Sequence, residues 1–248
     1  MLLSFENVSL TIGTSGILAD IDMTVAPGES VCLVGPSGCG KTSLLRLAAG
    51  VVEASSGTVN NRFGATGVVF QDPRLLPWHR TLENIALGLK SRGVGRRERL
   101  ARARALASKV GLEDSHDCFP HELSGGMQQR VALARALAIE ADILLLDEPF
   151  SALDVGLRAE GQDLVERLVV DQGMSALIVT HDLTEALRLA HRVVVVSGHP
   201  GRVVFEHCVG TPFHQRSPAW LYEQAGHLLR QEVVRKSFLF QRTSERMS

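Results

Sequence analysis

The sequence predicts an α/β fold built on a mostly parallel sheet. Three observations carry that expectation. Short, fully apolar runs (SVCLVG, ADILLLDEP, SALIVTHD) alternate with stretches of helical periodicity, the pattern of strands buried on both faces. The first 25 residues instead form two runs separated by a Gly/Ser turn, which suggests an antiparallel β region. Residues from about 83 to 140 are helical in period with few strand signals, so they look like an inserted helical subdomain.

In chain order, LLSFENVSLTI and ILADIDMTV are the antiparallel pair, and the buried strand SVCLVG leads through GPSGCGKT into the helix TSLLRLAAG. Gly67 to Phe70 reads as a strand ending in the loop QDPRLLPWHR, which carries two prolines and one of the chain's two tryptophans. On these residues alone Gln71 is a solvated residue past a strand, and Trp78 an anchor that packs the loop. After the helical insertion come the strand ADILLLDEP, the helix GLRAEGQDLVERLVVDQG, the strand SALIVTHD, the helix TEALRLAH and the last core strand RVVVVSG. The tail from about 212 to 248 is helical, and the whole chain, 1 to 248, is one domain.

At 248 residues with 45% hydrophobic content, the chain can bury a sizeable core. A formal net charge of −1 gives no basic field of the kind a nucleic-acid binder carries, so no nucleic-acid partner is expected. The locally basic run RRERLARARALASK has helical spacing and reads as a solvated helix face. The four cysteines, Cys32, Cys39, Cys118 and Cys208, form no CxxC pair, which argues against zinc and disulfides and for a reducing compartment. The N-terminus lacks a signal-peptide pattern, and no window approaches the roughly 18 to 20 apolar residues of a membrane span. If the protein works at a membrane, other chains do the crossing.

Three motifs carry chemistry. Gly35, Pro36, Ser37, Gly38, Cys39, Gly40, Lys41 and Thr42 match G-x-x-x-x-G-K-[ST] between a buried strand and a helix. Glycines there let successive backbone N–H groups curl round a polyphosphate, Lys41 reaches its terminal phosphates, and the helix offers its positive end. Cys39 reads as a small packing residue. In ILLLDEP, Asp147 and Glu148 stand side by side at a strand end, an arrangement that costs free energy unless a cation is near. Mg²⁺ on a nucleotide supplies that charge: Asp147 is then the metal-side carboxylate and Glu148 the base for an attacking water. The alternative is that the two acids cap the next helix. In LSGGMQQRVALARALA, Ser124, Gly125 and Gly126 open an amphipathic helix and make an anion-binding start. A second phosphate cradle there is hard to aim at the same chain's phosphate loop. Two chains head to tail solve that.

These residues resemble the ATP-binding subunits of ABC transporters over nearly the whole chain. GPSGCGKT looks like Walker A, LSGGMQQR the signature, ILLLDEP Walker B, SALD (151 to 154) the D-loop, and His181 in IVTHD the switch histidine. The resemblance implies a RecA-like P-loop core with an antiparallel β subdomain and an α-helical subdomain, and two ATP molecules sandwiched between two ATPase subunits, expected to be identical. It implies that Gln71 is the Q-loop glutamine sensing Mg²⁺ and water, and that the segment after it receives a permease. Ser124 and Gly126 reach the γ-phosphate held by Lys41 of the second copy, His181 contacts the γ-phosphate in its own chain, and Asp154 joins the two sites. The wording VFQDPRLLPW, TLENIALGL and SGHPGRV is most similar to nitrate, sulfonate and taurine import ATPases.

Three departures from the family pattern stand out. Thr42 precedes Ser43 where the order is usually reversed, so Thr42 becomes the Mg²⁺ hydroxyl. Met127 stands where Gln is frequent. Ile12 occupies the place of the adenine-stacking aromatic, which keeps burial and loses stacking. The expectation is an ATPase on the cytoplasmic face of the membrane that uses ATP and Mg²⁺ with a permease and a solute-binding protein to import a small anion. The competing classes are a non-transport ABC ATPase acting on nucleic acid or ribosomes, and an exporter ATPase. The first usually fuses two ATPase domains or carries a long coiled coil, and this chain has one motif set and no heptad run.

Overall fold

The computed structural model describes residues 1–239. The strands in chain order are β1 (Leu3–Ile12), β2 (Ser15–Val25), β3 (Ser30–Val34), β4 (Ser56–Asn61), β5 (Thr66–Val69), β6 (Ile143–Asp147), β7 (Ser175–Val179), β8 (Arg192–Ser197) and β9 (Arg202–Cys208). The helices are α1 (Lys41–Ala48), α2 (Thr81–Ile85), α3 (Leu87–Ser91), α4 (Arg96–Lys109), α5 (Gly125–Ala138), α6 (Val155–Gln172), α7 (Leu183–Leu189), α8 (Pro218–Arg230) and α9 (Glu232–Leu239). The chain divides into two compact units, one joining Met1–Phe63 to the chain from Glu166 onward, the other Gly64–Val165.

In the first unit, β3 lies between β7 and β8, parallel to both, with Val31 opposite Leu177 and Arg192. These strands are apolar without alternation because both faces are covered: Val31 to Val34, Ala176 to Ile178 and Val193 are fully buried. A separate antiparallel sheet has the order β2-β1-β4. Two strands fall outside the sequence expectation. β4 (SGTVNN) has a glycine and two asparagines and no buried residue, so it lacks the apolar signal. The other is β9, which pairs antiparallel on the RVVVVSG strand, with alternate residues exposed as an edge allows.

In the second unit β5 and β6 pair in parallel, Val69 opposite Leu146. A core of Ile85, Leu89, Ala103, Ala107, Leu112 and Val131 joins the helices there. β5 begins one residue earlier than the sequence suggested. The basic helix α4 buries only Ala103 and Ala107 and presents its arginines outward, as the spacing implied.

The tail is helical through α8 and α9, and residues 240–248 of the expected helical tail lie outside the described residues. Arg216 fastens this end of the first unit. Its guanidinium donates to the carbonyls of Leu187, Arg188 and Ala190 at the end of α7 and to that of Thr211. It lies 3.9 Å from the centre of the Phe213 ring. Burial lowers its pKa to about 10.

Candidate functional site

In the first unit, β3 runs out into the loop Gly35–Gly40 and α1. Gly35, Gly38 and Gly40 have φ of 152°, 81° and 95°, a backbone path that side chains resist. A Cβ on Gly35 would stand 2.0 Å from the carbonyl oxygen of Val196, so that position admits glycine alone. The loop curls round the buried Lys41, whose Nζ donates to the carbonyls of Gly35 and Pro36 at 2.8 and 2.7 Å. Cys39 is buried and donates its thiol to the Val196 carbonyl at 3.2 Å; burial raises its pKa, so the thiol stays protonated and acts as packing. Thr42 and Ser43 follow in the first turn of α1.

His181 follows β7 and is exposed. Because β7 and β3 are hydrogen-bonded parallel neighbours, with the Thr180 N–H on the Leu33 carbonyl at 3.1 Å, His181 and the Gly35–Gly40 loop leave the same edge of that sheet. Asp182 holds the turn by accepting from the N–H groups of Thr184 and Glu185 as the N-cap of α7.

In the second unit, Gln71 and the pair Asp147, Glu148 likewise leave one edge of the parallel β5-β6 pair. Asp147 is 1% exposed. Glu148 has φ 46°, a left-handed backbone that a non-glycine residue adopts only when its surroundings enforce it.

The start of α5 is exposed at Ser124 and Gly125, and the Ser124 hydroxyl accepts from the Met127 N–H at 3.2 Å. Gly126 sits against the 151–154 turn: an added Cβ would be 3.0 Å from Leu153 Cδ2. Asp154 at the end of that turn is the cap of α6, its carboxylate accepting from the Leu157 N–H at 3.0 Å. The unit thus brings Ser124 to Gly126 beside the 151–154 turn, and Gln71 beside Asp147 and Glu148.

The loop from Gln71 to Arg80 corrects one expectation. Trp78 is not an anchor, being 68% exposed. Asn84, fully buried, fastens the loop instead: its Oδ1 accepts from the Leu76 N–H, and its Nδ2 donates to the carbonyls of Leu76 and His79. Arg135 adds bonds to the carbonyls of Pro73 and Arg74 at 2.7 and 2.9 Å. Sequence reasoning passed over both residues, because an Asn and an Arg at helical spacing look like any polar face.

It also passed over the turn between β8 and β9 as a neighbour of the Gly35–Gly40 loop. A Cβ on Gly201 would stand 2.0 Å from the Cys39 carbonyl, and the His199 ring lies 3.6 Å from where a Gly38 side chain would begin. Ile12, in the aromatic's place, is 57% exposed.

The ABC transporter family model matches residues 18–151. The taurine import ATP-binding protein TauB of Pseudomonas aeruginosa is 45% identical over 213 residues, 82% of this chain and 81% of that protein. The aliphatic sulfonates import ATP-binding protein SsuB of Rhodopseudomonas palustris is 42% identical over 234 residues, 92% of this chain and 82% of its own. Among solved structures, the dimeric ATP-binding cassette MJ0796, in a post-hydrolysis state bound to ADP and Pi, matches with a TM-score of 0.78 at 29% identity, over 85% of this chain and 100% of that one. By the family match, these relatives and its α/β P-loop fold, the chain belongs to the ABC transporter family and is one of its ATPases.

Proposed function

We propose that this ATPase drives import of a sulfonate, taurine or an aliphatic sulfonate, through a separate membrane permease fed by a solute-binding protein. The observation that carries the solute class is that relatives matched over more than four fifths of their length are named for taurine and for aliphatic sulfonates. Nitrate, the third solute of the sequence expectation, has no such support. No described helix is long and apolar enough to cross a membrane, which fits a subunit that docks on a permease at the cytoplasmic face. The exposed loop around Trp78 is the docking surface.

The site residues take the following roles. Backbone N–H groups of Gly38 to Thr42 and the ammonium of Lys41 hold the ATP phosphates; the glycine-only backbone at Gly35 fits such a cradle. Thr42, Gln71 and the buried Asp147 are oxygen donors suited to Mg²⁺, which when bound neutralises phosphate charge. Glu148 accepts the proton of the attacking water, Gln71 orients that water, and His181 contacts the γ-phosphate. Ser124, Gly125 and Gly126, with Ser124 and Gly125 exposed at the start of α5, complete the ATP site of a second copy, and Asp154 links the two sites. Positioning and charge neutralisation supply most of the rate, each tenfold requiring about 1.4 kcal/mol.

Uptake of labelled taurine and of an alkanesulfonate in cells lacking this gene tests the proposal. Uptake should vanish and return with the wild-type gene but not with Glu148→Gln. Normal uptake of both solutes in the deletion strain would refute the solute class.

A further inference from the structure

We propose that His199 is the nucleoside-side contact of the ATP site, its imidazole face packing on the ribose and base where Ile12 supplies no aromatic ring. The proposal rests on the phosphate loop holding ATP. The turn carrying His199 is built onto that loop and onto the β1-β2 hairpin together. Gly201 donates its N–H to the Ile17 carbonyl at 2.9 Å and accepts from the Ala19 N–H at 3.0 Å, a short bridge to β2. Its α-carbon faces the Cys39 carbonyl so closely that a methyl group would lie 2.0 Å from that oxygen. Pro200 packs on the hairpin, 3.6 Å from where a Gly16 side chain would start. Held on both sides, the turn gives His199 a fixed place.

That place is the outer rim of the loop. Ser37 and Gly38 form its exposed tip, whereas Lys41 and Cys39 are buried within it. The His199 ring lies 3.6 Å from the Gly38 Cβ position, is exposed, and makes no hydrogen bond or ion pair among the described residues. The turn carrying His199 touches two features: the loop tip, through the His199 ring at Gly38, and the hairpin, through Pro200 at Gly16, which pairs with Thr11 next to Ile12. On this proposal the ribose and base of a nucleotide held by the loop lie along this exposed turn. A flat ring there offers the sequence-tolerant stacking face that bases accept from aromatic side chains.

The test is equilibrium binding to the purified full-length chain, comparing ATP with inorganic tripolyphosphate for wild type, His199→Ala and His199→Phe. His199→Ala should weaken ATP about five- to tenfold, the low end expected for a small ring, and leave tripolyphosphate within about twofold. His199→Phe, which keeps a planar face and loses the ring nitrogens, should hold ATP within about twofold of wild type. Unchanged ATP affinity in His199→Ala overturns the proposal. So does parallel loss of ATP and tripolyphosphate, which would make the residue a support of the loop, and so does failure of Phe to substitute. A wild-type chain that binds neither ligand would overturn the ATP assignment and this one with it.

Discussion

The carbonyl oxygen of Glu148 accepts two hydrogen bonds from Ser151, from its hydroxyl at 2.9 Å and from its backbone N–H at 3.3 Å. That turn closes over Phe150, which is 1% exposed, and holds Glu148 at φ 46°. A left-handed glutamate costs on the order of 1–3 kcal/mol. Packing of Phe150 and the two bonds from Ser151 offset it. The backbone thereby fixes the direction in which the Glu148 side chain leaves the chain.

Glu148→Gln keeps the size and the backbone and removes the proton acceptor. We expect ATP binding within about threefold of wild type and turnover lower by on the order of a hundred- to ten-thousandfold. ATP-locked dimers should accumulate, visible by size-exclusion chromatography. Steady-state turnover at the wild-type rate would take Glu148 out of this role.

Trp78 and Asn84 separate contact from support in the same loop. Trp78→Ala removes an exposed ring and should change unfolding free energy by less than about 0.5 kcal/mol, leaving ATPase activity of the isolated subunit intact while permease-coupled activity is lost. Asn84→Ala strips three part-buried bonds to Leu76 and His79, so a loss of about 1–3 kcal/mol is expected. Denaturant unfolding read beside transport assays distinguishes them, and equal stability of the two variants would contradict the assigned roles.

Gly35→Ala places a methyl group 2.0 Å from the Val196 carbonyl, a backbone atom of a central strand that cannot step aside. The loop must open instead. Both ATP and tripolyphosphate affinity should fall by more than about tenfold, with a lowered unfolding midpoint. Gly125, which has open space where a side chain would go, is the contrasting position: Gly125→Ala should leave the isolated subunit's unfolding midpoint unchanged.

Legibility in the sequence followed the physics of each feature. The parallel strands were plain because burial on both faces leaves Val31 to Val34 and Ile143 to Leu146 no polar residue to blur the signal. β4 and β9 were missed because edge positions accept Asn, His and Glu. Lys41, Asp147 and Ser124 stood out in the sequence by residue type and spacing, and each lies at the end of a strand or the start of a helix. The neighbours of the loop did not, since the approach of Gly201 to Cys39 joins residues far apart in sequence and a single glycine carries no mark of what it touches. Trp78 was misjudged for the opposite reason, as a large ring suggests burial unless a partner is waiting to cover it.

Stability should also depend on pH through His191. Its Nδ1 accepts from the Ser30 N–H at 3.0 Å, which requires that nitrogen to be unprotonated, and its ring meets Phe213 edge-on at 4.9 Å. Burial lowers its pKa, the Arg216 charge lowers it further, and Glu29 opposes them. With the folded pKa below the unfolded value near 6.5, the unfolded chain binds the proton first. The contribution is complete above pH 6.5 and is lost as pH falls through the unfolded value toward the folded one. His191→Asn keeps an acceptor toward Ser30 and cannot titrate, so its unfolding midpoint should fall less than that of wild type between pH 7.5 and 5. His207, whose pKa burial also lowers, keeps part of the slope in that variant, and His207→Asn in the same background should remove it. Parallel curves for wild type and His191→Asn would show that the neutral ring at Ser30 contributes nothing to acid sensitivity.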